Sequence, residues 1–451
     1  MLVMKFGGTS VRDAEWMDRT LQIAREALPD APLLVASAMS GVTNLLQELA
    51  TCVGTGEAGN AWQLQERLKE RHLVTATRFL TGNNLARCLG TLDDSFQELA
   101  ALAGALGVLR DCSARNNDAI LAFGELWSTR LLYHRALEQG LDAQWLDARE
   151  LVKTDDQHGA AAVLWDATCE ATRRLAHPAP GRLLITQGFV GSTLKGVTST
   201  LGRGGSDYSA TLLGAALGAT EVQIWTDVPG IATCDPRLVS QGRTLLELSY
   251  REAAELAYFG AKVIHPSTIA PAVAAHIPVL VLDTADPRGP HTRITAQLPH
   301  AGLKAIACKK GLALICVDSS RMLLAYGFLR RIFDVFERHA TPVDLVTTSE
   351  VSVSVTIDHL EHLDAILADL GQLGSVRVEL HRAIVSLVGQ DLWKESSLLP
   401  RAFGAVSPAA VSMVSLGSSD INLSLVLGEA DCDEAVRRLH HEFFGGTHAA
   451  L

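Results

Sequence analysis

The stretch from Thr198 to Arg237 holds the residues most able to do chemistry. Its glycine-rich turn carries one cation, Arg203, and ends in Ser206 and Asp207 before an Ala/Leu run with helical spacing. A glycine turn that opens a helix presents free backbone N–H groups and the positive end of the helix dipole to an anion. An arginine and an aspartate in the same turn indicate a charged substrate or a metal-bound phosphate. The pattern therefore predicts an enzyme that handles phosphate and carboxylate groups together.

A second glycine turn lies near the N-terminus, where Lys5 stands at the end of an apolar run and Gly7 and Gly8 follow. Lys5 would neutralise a phosphoryl group in transfer while the glycine amides hold its oxygens. The alternative is an ordinary turn between a strand and a helix with an exposed lysine. The motif differs from the G-x-x-x-x-G-K-[ST] phosphate loop, so it does not identify a nucleotide site by itself.

Two single side chains are candidates for holding a substrate. Thr43 follows the second apolar run and offers a hydroxyl to a carboxylate; alternatively, its segment is only the N-cap of a helix. Glu125 lies inside an apolar helical stretch and offers a carboxylate to an ammonium group. The alternative for Glu125 is a solvated helix face on which it pairs with Arg130.

Two loops are candidates for binding a nucleotide and its metal. Thr226 and Asp227 follow a short apolar run, and Asp235-Pro236-Arg237 comes soon after. The alternative is a plain turn, because Pro229-Gly230 is a turn signal in any protein. Further along, Lys262 offers a second lysine to phosphate, or it is a surface lysine before a turn.

The elements that must position these residues predict an α/β fold. Strand-like runs alternate with helical patterns, which is typical of a layered domain with a mostly parallel sheet. Ligands of such sheets bind at the carboxyl ends of the strands. We therefore expect the glycine turns after residues 6, 36, 186 and 201 to share one pocket. The predicted strands are 2–6, 33–36, 183–186, 222–225 and 277–282, and helical patterns cover 41–110 and 118–139.

The pattern changes beyond residue 284. Residues 284–302 contain three prolines and little periodicity, so we interpret them as a linker. Two β-α-β-β-α-β units are then predicted, and the second lacks its fourth strand. Residues 305–309 are a spare strand for it, which predicts that the first unit is inserted into the second. The predicted strands are 312–317, 343–347, 351–357, 375–380, 384–388, 411–416 and 421–427, and the predicted helices are 326–339, 360–370, 396–403 and 433–444.

Composition limits the class of protein. The chain has 451 residues, of which 48% are hydrophobic, enough for about two to four domains. A formal net charge of −11 argues against a nucleic-acid partner. No apolar run reaches the ~20 residues of a membrane span, and no secretory signal is visible. Eight scattered cysteines without a C-x-x-C pair indicate reduced thiols in a cytoplasmic protein, and no zinc site is expected.

Seven motifs occur in the order found in one enzyme family. They are KFGGTSV (5–11), SGVTNLL (40–46), FGE (123–125), TLGRGGSDYSA (200–210), TDVPGI (226–231), DPR (235–237) and GAKVIHP (260–266). Together they resemble the aspartate kinases of the amino-acid kinase superfamily, over nearly the whole chain. The segments GFL (327–329) and VDLVTTSEVSVSVTID (343–358) resemble the first ACT domain of the lysine-regulated branch.

The resemblance implies an amino-acid kinase domain of three layers over 1–298. It would use ATP and Mg²⁺ to phosphorylate the side-chain carboxylate of L-aspartate. Because that carboxylate is already a nucleophile, the reaction needs positioning and fixed positive charge rather than a catalytic base. By this resemblance Lys5 stabilises the moving phosphoryl group, and Asp207 organises the lysines and the metal end. The implied substrate residues are Thr43, Glu125, Arg203 and Ser206, and the implied nucleotide residues are Lys5, Gly7, Gly8, Ser10, Gly204, Thr226, Asp227, Asp235, Arg237 and Lys262.

The resemblance also implies two ferredoxin-like ACT domains, over 311–381 and over 303–310 with 382–451, and a homodimer formed through them. L-Lysine is the suspected effector, with Asp344 as the partner of its ammonium group. Ala232 stands where the family often has a tyrosine near ATP, and Ala325 where lysine-sensitive relatives often have a polar residue. The implied effector pocket comprises Met322, Phe328, Leu329, Val343, Asp344, Ser349 and Glu350.

Two other functions stay open at this point. A kinase of another small amino acid would share the fold, although the ACT pair favours the aspartate branch. A catalytically silent amino-acid sensor would share it too, but intact Lys5, Arg203, Asp207 and Lys262 argue against that. No dehydrogenase-like region follows, so a monofunctional enzyme is expected.

Overall fold

The computed structural model describes residues 1–260, 264–296, 301–323, 326–416 and 420–445. The chain divides into two units. The first comprises Met1–Ile231, Leu246–Tyr250 and Ile264–Gln297, and the second comprises Ala232–Leu245, Arg251–Val263 and Leu298–Leu451. Within the described ranges, no helix is both long enough and apolar enough to cross a bilayer.

Strands alternate with helices up to residue 296, and the longest helices follow the second strand. The elements are β1 (Leu2–Phe6), α1 (Ala14–Glu26), β2 (Pro32–Ala36), α2 (Val42–Thr55), α3 (Ala58–Phe79), α4 (Gly82–Leu109), α5 (Ala114–Glu138), β3 (Asp142–Leu146), α6 (Ala148–Leu151), β4 (Lys153–Thr154), α7 (Trp165–Leu175), β5 (Arg182–Gln187), β6 (Val190–Thr193), β7 (Thr198–Thr200), α8 (Gly205–Leu217), β8 (Glu221–Thr226), β9 (Glu247–Ser249), α9 (Tyr250–Tyr258), α10 (Pro266–Ala274), β10 (Val279–Asp283) and β11 (Thr292–Thr295).

The main sheet has eight strands in the order β3-β5-β2-β1-β8-β10-β11-β9. All its pairs are parallel except β10 with β11. The predicted α/β class with a mainly parallel sheet is therefore confirmed. The linker predicted over 284–302 is wrong in part, because β11 lies inside it. Thr292 and Ile294 are buried at alternate positions, a strand signal too short to stand out among prolines.

Helices cover both faces of this sheet, which explains why its central strands β1 and β2 are buried at every position. Met4 and Phe6 of β1 belong to a core shared with the helices α1 to α5. Val3, which points to the opposite face, lies against Gly214 of α8. The domain therefore has three layers.

The second unit is built on an antiparallel sheet of six strands in the order β13-β14-β12-β15-β17-β16. One hydrophobic core lies under the helices 328–338 and 363–371, and another lies under the helices 398–406 and 429–444. The elements are β12 (Gly302–Asp318), α11 (Phe328–Arg338), β13 (Val346–Thr348), β14 (Ser352–Ile357), α12 (Leu363–Gly371), β15 (Ser375–Gln390), α13 (Leu398–Val406), β16 (Val411–Leu416), β17 (Asn422–Gly428) and α14 (Glu429–Phe444).

Two pairs of predicted strands are single strands in the structure. β12 joins the runs predicted over 305–309 and 312–317, and β15 joins those over 375–380 and 384–388. The separation was wrong because Gly311 and His381 look like breaks in the pattern. Both have positive φ, +77° and +55°, and the pairing continues past them through a register shift.

Candidate active site

A cavity of about 370 Å³ lies at the carboxyl ends of strands β1, β2 and β5. Its lining comes from the four glycine turns that the sequence predicted to meet, so that prediction is confirmed. The side of α2 and one residue of α5 complete it. The lining residues are Lys5, Gly8, Ser37, Ala38, Met39, Ser40, Gly41, Thr43, Asn44, Glu125, Phe189, Gly202, Gly204, Gly205, Ser206 and Asp207.

Lys5 and Asp207 form an ion pair inside this cavity. The distance from Lys5 Nζ to Asp207 Oδ1 is 2.6 Å, and the two side chains are only 11% and 15% exposed. Lys5 comes from β1 and Asp207 from the first turn of α8. The cavity thus holds a fixed cation next to the N-terminus of a helix, which suits an anionic group.

The turn before α8 takes its shape from glycines. Gly204 caps the helix with φ +72°, and a Cβ there would lie 2.7 Å from Thr268 Cγ2. Gly188, which follows β5, leaves no room for a side chain, because a Cβ would lie 2.6 Å from the Cβ of Ser206. The first turn of α8 therefore lies directly on the end of β5, which brings Ser206 into the cavity.

Glu125 is the most unusual group of the cavity. It lies on α5 and is only 3% exposed, and its Oε2 has no hydrogen-bond partner among the described residues. Burial raises the pKa of Glu125 to about 8, and a hydrogen bond from the backbone of Ala38 opposes this only in part. The alternative of a solvated face paired with Arg130 is wrong. The Arg130 guanidinium lies over the ring of Trp145 instead, 3.3 Å from its centroid.

A second buried carboxylate on α5, Asp118, is fully satisfied. It accepts hydrogen bonds from the backbone of Gly159 at 3.1 Å and the hydroxyl of Thr200 at 2.5 Å, and it bonds the imidazole of His158 at 2.8 Å. Gly202 packs against the neighbouring Ala160. Asp118 thereby anchors Thr200, just before the Gly-rich turn, and the loop against which that turn packs. The sequence analysis missed it, because partners some 40 and 82 positions away leave no local pattern.

Phe189 and Asn44 also line the cavity and were not predicted. Phe189 has φ +67°, which is rare for a residue with a bulky side chain. Its position just after Gly188 was the available signal. Thr43 lines the cavity, and the alternative that its segment is a helix N-cap also holds, because Gly41 of that segment caps α2.

Three predicted site residues near the cavity are not part of its lining. Arg203 lies between the lining glycines, but its side chain is exposed and is not part of the cavity wall. Ser10 is buried, and its hydroxyl shares a 2.7 Å hydrogen bond with that of Thr284. Gly7 lies beside the cavity, where its backbone N–H donates to Trp225 at 3.1 Å.

The predicted nucleotide residues fall into both units. Thr226 is at the end of β8, and its hydroxyl donates to the side chain of Asp227 at 3.2 Å. Asp235 and Arg237 belong to the second unit, where they form an ion pair of 2.6 Å. Lys262 lies outside the described residues.

No group of three or more His, Cys, Asp and Glu side chains with the spacing of a metal site occurs in the described part of the chain. Mg²⁺ needs fewer protein ligands when a nucleotide supplies phosphate oxygens, usually one or two carboxylates. Asp207 in the cavity and Asp227 at the end of β8 are carboxylates of that kind.

The predicted effector residues lie in the second unit. Met322, Phe328 and Val343 meet in the core under α11 and α12, whereas Leu329, Ser349 and Glu350 are exposed. Ala325, the departure noted in this pocket, lies outside the described residues.

Asp344 of the effector set has a side chain that is 2% exposed. It pairs with Lys309 at 2.6 Å and accepts a hydrogen bond from the hydroxyl of Tyr258 at 2.7 Å. Lys309 also pairs with Asp358 at 2.7 Å. Two carboxylates thus share one ammonium group, and this site has an excess negative charge.

Comparison with known proteins agrees with this architecture. The amino acid kinase family model matches residues 1–283, and an ACT domain model matches residues 385–443. Lysine-sensitive aspartokinase 3 of Escherichia coli is 38% identical over 98% of this chain and 99% of its own length. The chloroplastic aspartokinase 3 of Arabidopsis thaliana is 34% identical over 98% of this chain and 81% of its own.

Solved structures extend the likeness to three dimensions. E. coli aspartokinase III in complex with aspartate and ADP (R-state) matches 98% of this chain and 100% of its own, with a TM-score of 0.84 and 38% identity. The same enzyme with lysine and aspartate (T-state) matches with a TM-score of 0.79 and 37% identity over 98% of this chain and 99% of its own. The fold and the cavity define an α/β phosphotransferase. The chain belongs to the amino acid kinase family, and within it to the aspartokinases, as the sequence predicted.

Proposed function

We propose that the cavity beside Lys5 binds L-aspartate and the γ-phosphate of ATP, and that the products are 4-phospho-L-aspartate and ADP. The observation that carries the proposal is that one cavity contains a group that favours a cation and groups that favour an anion. Glu125 is a buried carboxylate with one oxygen that has no hydrogen-bond partner among the described residues, which calls for a cation. The ion-paired Lys5 and the N-terminus of α8 call for an anion. A free amino acid and a phosphate together meet both demands.

The transfer itself needs charge neutralisation more than proton transfer. The side-chain carboxylate of aspartate attacks the γ-phosphorus directly, and the difficulty is bringing two anions together. Lys5 lies on the buried interior strand β1, and Asp207 fixes the direction of its ammonium group. Lys5 therefore stabilises the charge on the phosphoryl oxygens during transfer, with help from the backbone amides around Gly8 and Gly204.

The ammonium group of the substrate binds Glu125. A buried carboxylate with a pKa near 8 ionises when a cation arrives, so substrate binding repays its desolvation. Thr43 and Ser206 line the same cavity and hydrogen-bond the α-carboxylate. Arg203 reaches that carboxylate from the turn between the lining glycines, where its exposed side chain has freedom to swing.

ATP is held by the ends of β1 and β8 and by the segments that follow. The proposed contacts are Lys5, Gly7, Gly8, Ser10, Gly204, Thr226, Asp227, Asp235, Arg237 and Lys262. Mg²⁺ supplies positive charge on the phosphates when it is bound, and Asp207 and Asp227 would hold it. The ADP complex of the E. coli relative supports the nucleotide part of this proposal.

L-Lysine regulates the enzyme through the pocket around Asp344. The E. coli relative has been solved with lysine, which supports this effector. The excess negative charge of the cluster formed by Asp344, Asp358 and Lys309 supports it too. Asp344 Oδ2 is buried and has no hydrogen-bond partner among the described residues, so it can accept from an added ammonium group.

The proposal includes the organisation expected from the sequence. The domains are 1–298, 311–381 and 303–310 with 382–451; the ACT domains form the homodimer, and the enzyme works in the cytoplasm on small molecules.

The deciding experiment is ADP release measured with MgATP and each of three conditions: L-aspartate, L-glutamate and no acceptor. We expect turnover that depends on L-aspartate and is lost in Lys5→Met. Turnover with L-glutamate alone would instead identify a kinase of another amino acid. Absence of turnover in every condition, with the protein shown folded by circular dichroism, would favour the silent sensor. A repeat with millimolar L-lysine tests the regulation separately.

A further inference from the structure

Three thiols meet in the second unit and take no part in the proposed reaction. Cys234 and Cys432 are buried in the core under α13 and α14, 4% and 0% exposed. Cys308 of β12 packs against the same core and is partly exposed. All three are free thiols.

The fold presses two of these thiols together. Cys308 packs against the core cluster that contains Cys432, so the two thiols meet where strand β12 lies against the start of α14. Lys310 and Asp433, which are near neighbours of the two cysteines in sequence, form an ion pair of 2.6 Å. That ion pair joins the strand to the helix next to both cysteines.

The two thiols differ in the way a reactive pair requires. The hydrogen bond from Cys432, with added help from the Lys310 ammonium, holds the pKa of Cys308 below its usual value despite burial. The same contact and burial raise the pKa of Cys432. The partly exposed Cys308 is therefore the nucleophile, and the buried Cys432 is the thiol that reacts second.

We propose that Cys308 and Cys432 are a reversible oxidation site, at which a hydroperoxide such as hydrogen peroxide forms a disulfide between β12 and α14. The Cys308 thiolate attacks one peroxide oxygen and breaks the O–O bond, which gives a sulfenic acid and, after protonation, one water. The Cys432 sulfur then attacks the sulfenic sulfur, the S–S bond forms, and the second water leaves. Two thiols lose two electrons, and the peroxide gains them. A dithiol reductant reverses the change.

The thiol pair is connected to residues 233–237, which include the proposed nucleotide residues Asp235 and Arg237, within the same unit. The backbone N–H of Ile306, two residues before Cys308, donates to Thr233 at 2.8 Å. Cys234 and Asp235 follow directly, and Asp235 and Arg237 both interact electrostatically with Cys308. Closing the disulfide shifts this strand, so we expect a severalfold rise in the KM for ATP. That expectation rests on the proposed nucleotide role of Asp235 and Arg237.

The test uses the reduced full-length protein treated with hydrogen peroxide, followed by alkylation, proteolysis and mass spectrometry. We expect a Cys308–Cys432 cross-linked peptide, the loss of two free thiols, and recovery of both with dithiothreitol. Cys308→Ser and Cys432→Ser should abolish the cross-link. Cys316→Ser is the matched control, because Cys316 lies on the same strand and pairs with Ser354 at 3.4 Å; it should leave the cross-link intact.

Other outcomes overturn the proposal. A cross-link that uses Cys234, or oxidation of Cys308 to sulfinic acid without a cross-link, would show that the pair does not close. Formation of the disulfide with an unchanged KM for ATP would leave the oxidation site standing and remove its link to the nucleotide segment. A chain without aspartate-dependent turnover would fail the proposed function, yet the mass spectrum would still decide the disulfide.

Discussion

Two lysine–aspartate pairs of equal length lie in the two units of this chain and are set in opposite surroundings. Lys5–Asp207 and Lys309–Asp344 are both 2.6 Å long and largely buried. The first lines a cavity that also contains a carboxylate with an unpaired oxygen, Glu125. In the second pair, Lys309 also pairs with the carboxylate of Asp358, and Asp344 accepts a hydrogen bond from the hydroxyl of Tyr258. The length of an ion pair therefore does not reveal its role; the groups left unsatisfied around it do.

The first and largest expected effect compares the two lysines directly. Lys5→Met should lower kcat by about 10²–10³-fold, because a preorganised charge on the phosphoryl oxygens is lost. Lys309→Met should leave kcat without lysine within about twofold, since its pair lies in the other unit. Steady-state kinetics of ADP release measures both. Lys195→Met, an exposed lysine of the same domain, is the control for Lys5. Equal losses of kcat in Lys5→Met and Lys309→Met would contradict different roles for the two ion pairs.

The second effect tests the unpaired carboxylate. Glu125→Gln should raise the KM for L-aspartate by roughly 10–100-fold with a smaller change in kcat, because a charged hydrogen bond to the substrate ammonium is lost. Asp118→Asn is the matched control on the same helix. Its carboxylate is already satisfied, so this change should lower the melting temperature more than it alters the KM. A kcat loss without a KM change in Glu125→Gln would contradict the ammonium role.

The third effect concerns pH. The pKa of Glu125 is raised to about 8 by burial, so the empty site is mostly protonated below that pH. Binding of the ammonium group requires the ionised form. The KM for L-aspartate should therefore fall as pH rises from 6 to 8, by at most about tenfold per unit, and level off above 8. Glu125→Gln should remove this dependence. A flat profile in the unmodified enzyme would mean that Glu125 is already ionised when the substrate arrives.

The smallest effect concerns regulation. Lys309→Met leaves Asp344 and Asp358 without their shared cation, so the lysine ammonium should bind more tightly. The concentration of L-lysine that halves the rate should fall by roughly three- to tenfold. Lys310→Met is the matched control, because Lys310 pairs with Asp433 instead. Weaker inhibition in Lys309→Met would show that Lys309 positions Asp344 rather than competing for it.

The sequence predicted the cavity well because its residues follow the ends of parallel strands. In such a sheet the carboxyl ends converge, so turns that are far apart in the chain, such as those after Phe6 and Gln187, meet by topology alone. Burial of Glu125 was harder to foresee. Its pattern fits a solvated face equally well, and only the packing of α5 under β2 and α2 decides between them.

Features that depend on distant partners could not be predicted in this way. The bond between Asp118 and His158 joins α5 to a loop, and neither position breaks a local pattern. The exposed position of Arg203 follows from the path of a three-glycine turn, in which glycine permits many conformations. The sequence did not predict that β12 and β15 are continuous strands. Gly311 and His381 interrupt the strand pattern as a turn would, and only their cross-strand partners show that the pairing continues past them.

The long pairing of β12 with β15 has a consequence for the order of folding. Residues 303–309 pair with 384–389, so that half of β12 has no partner until α11, β13, β14 and α12 have all been synthesised. During this interval an apolar strand edge is open, and such edges pair readily with other chains. The regulatory sheet is thus open to aggregation while the chain is being made, and it depends on its last strands for protection.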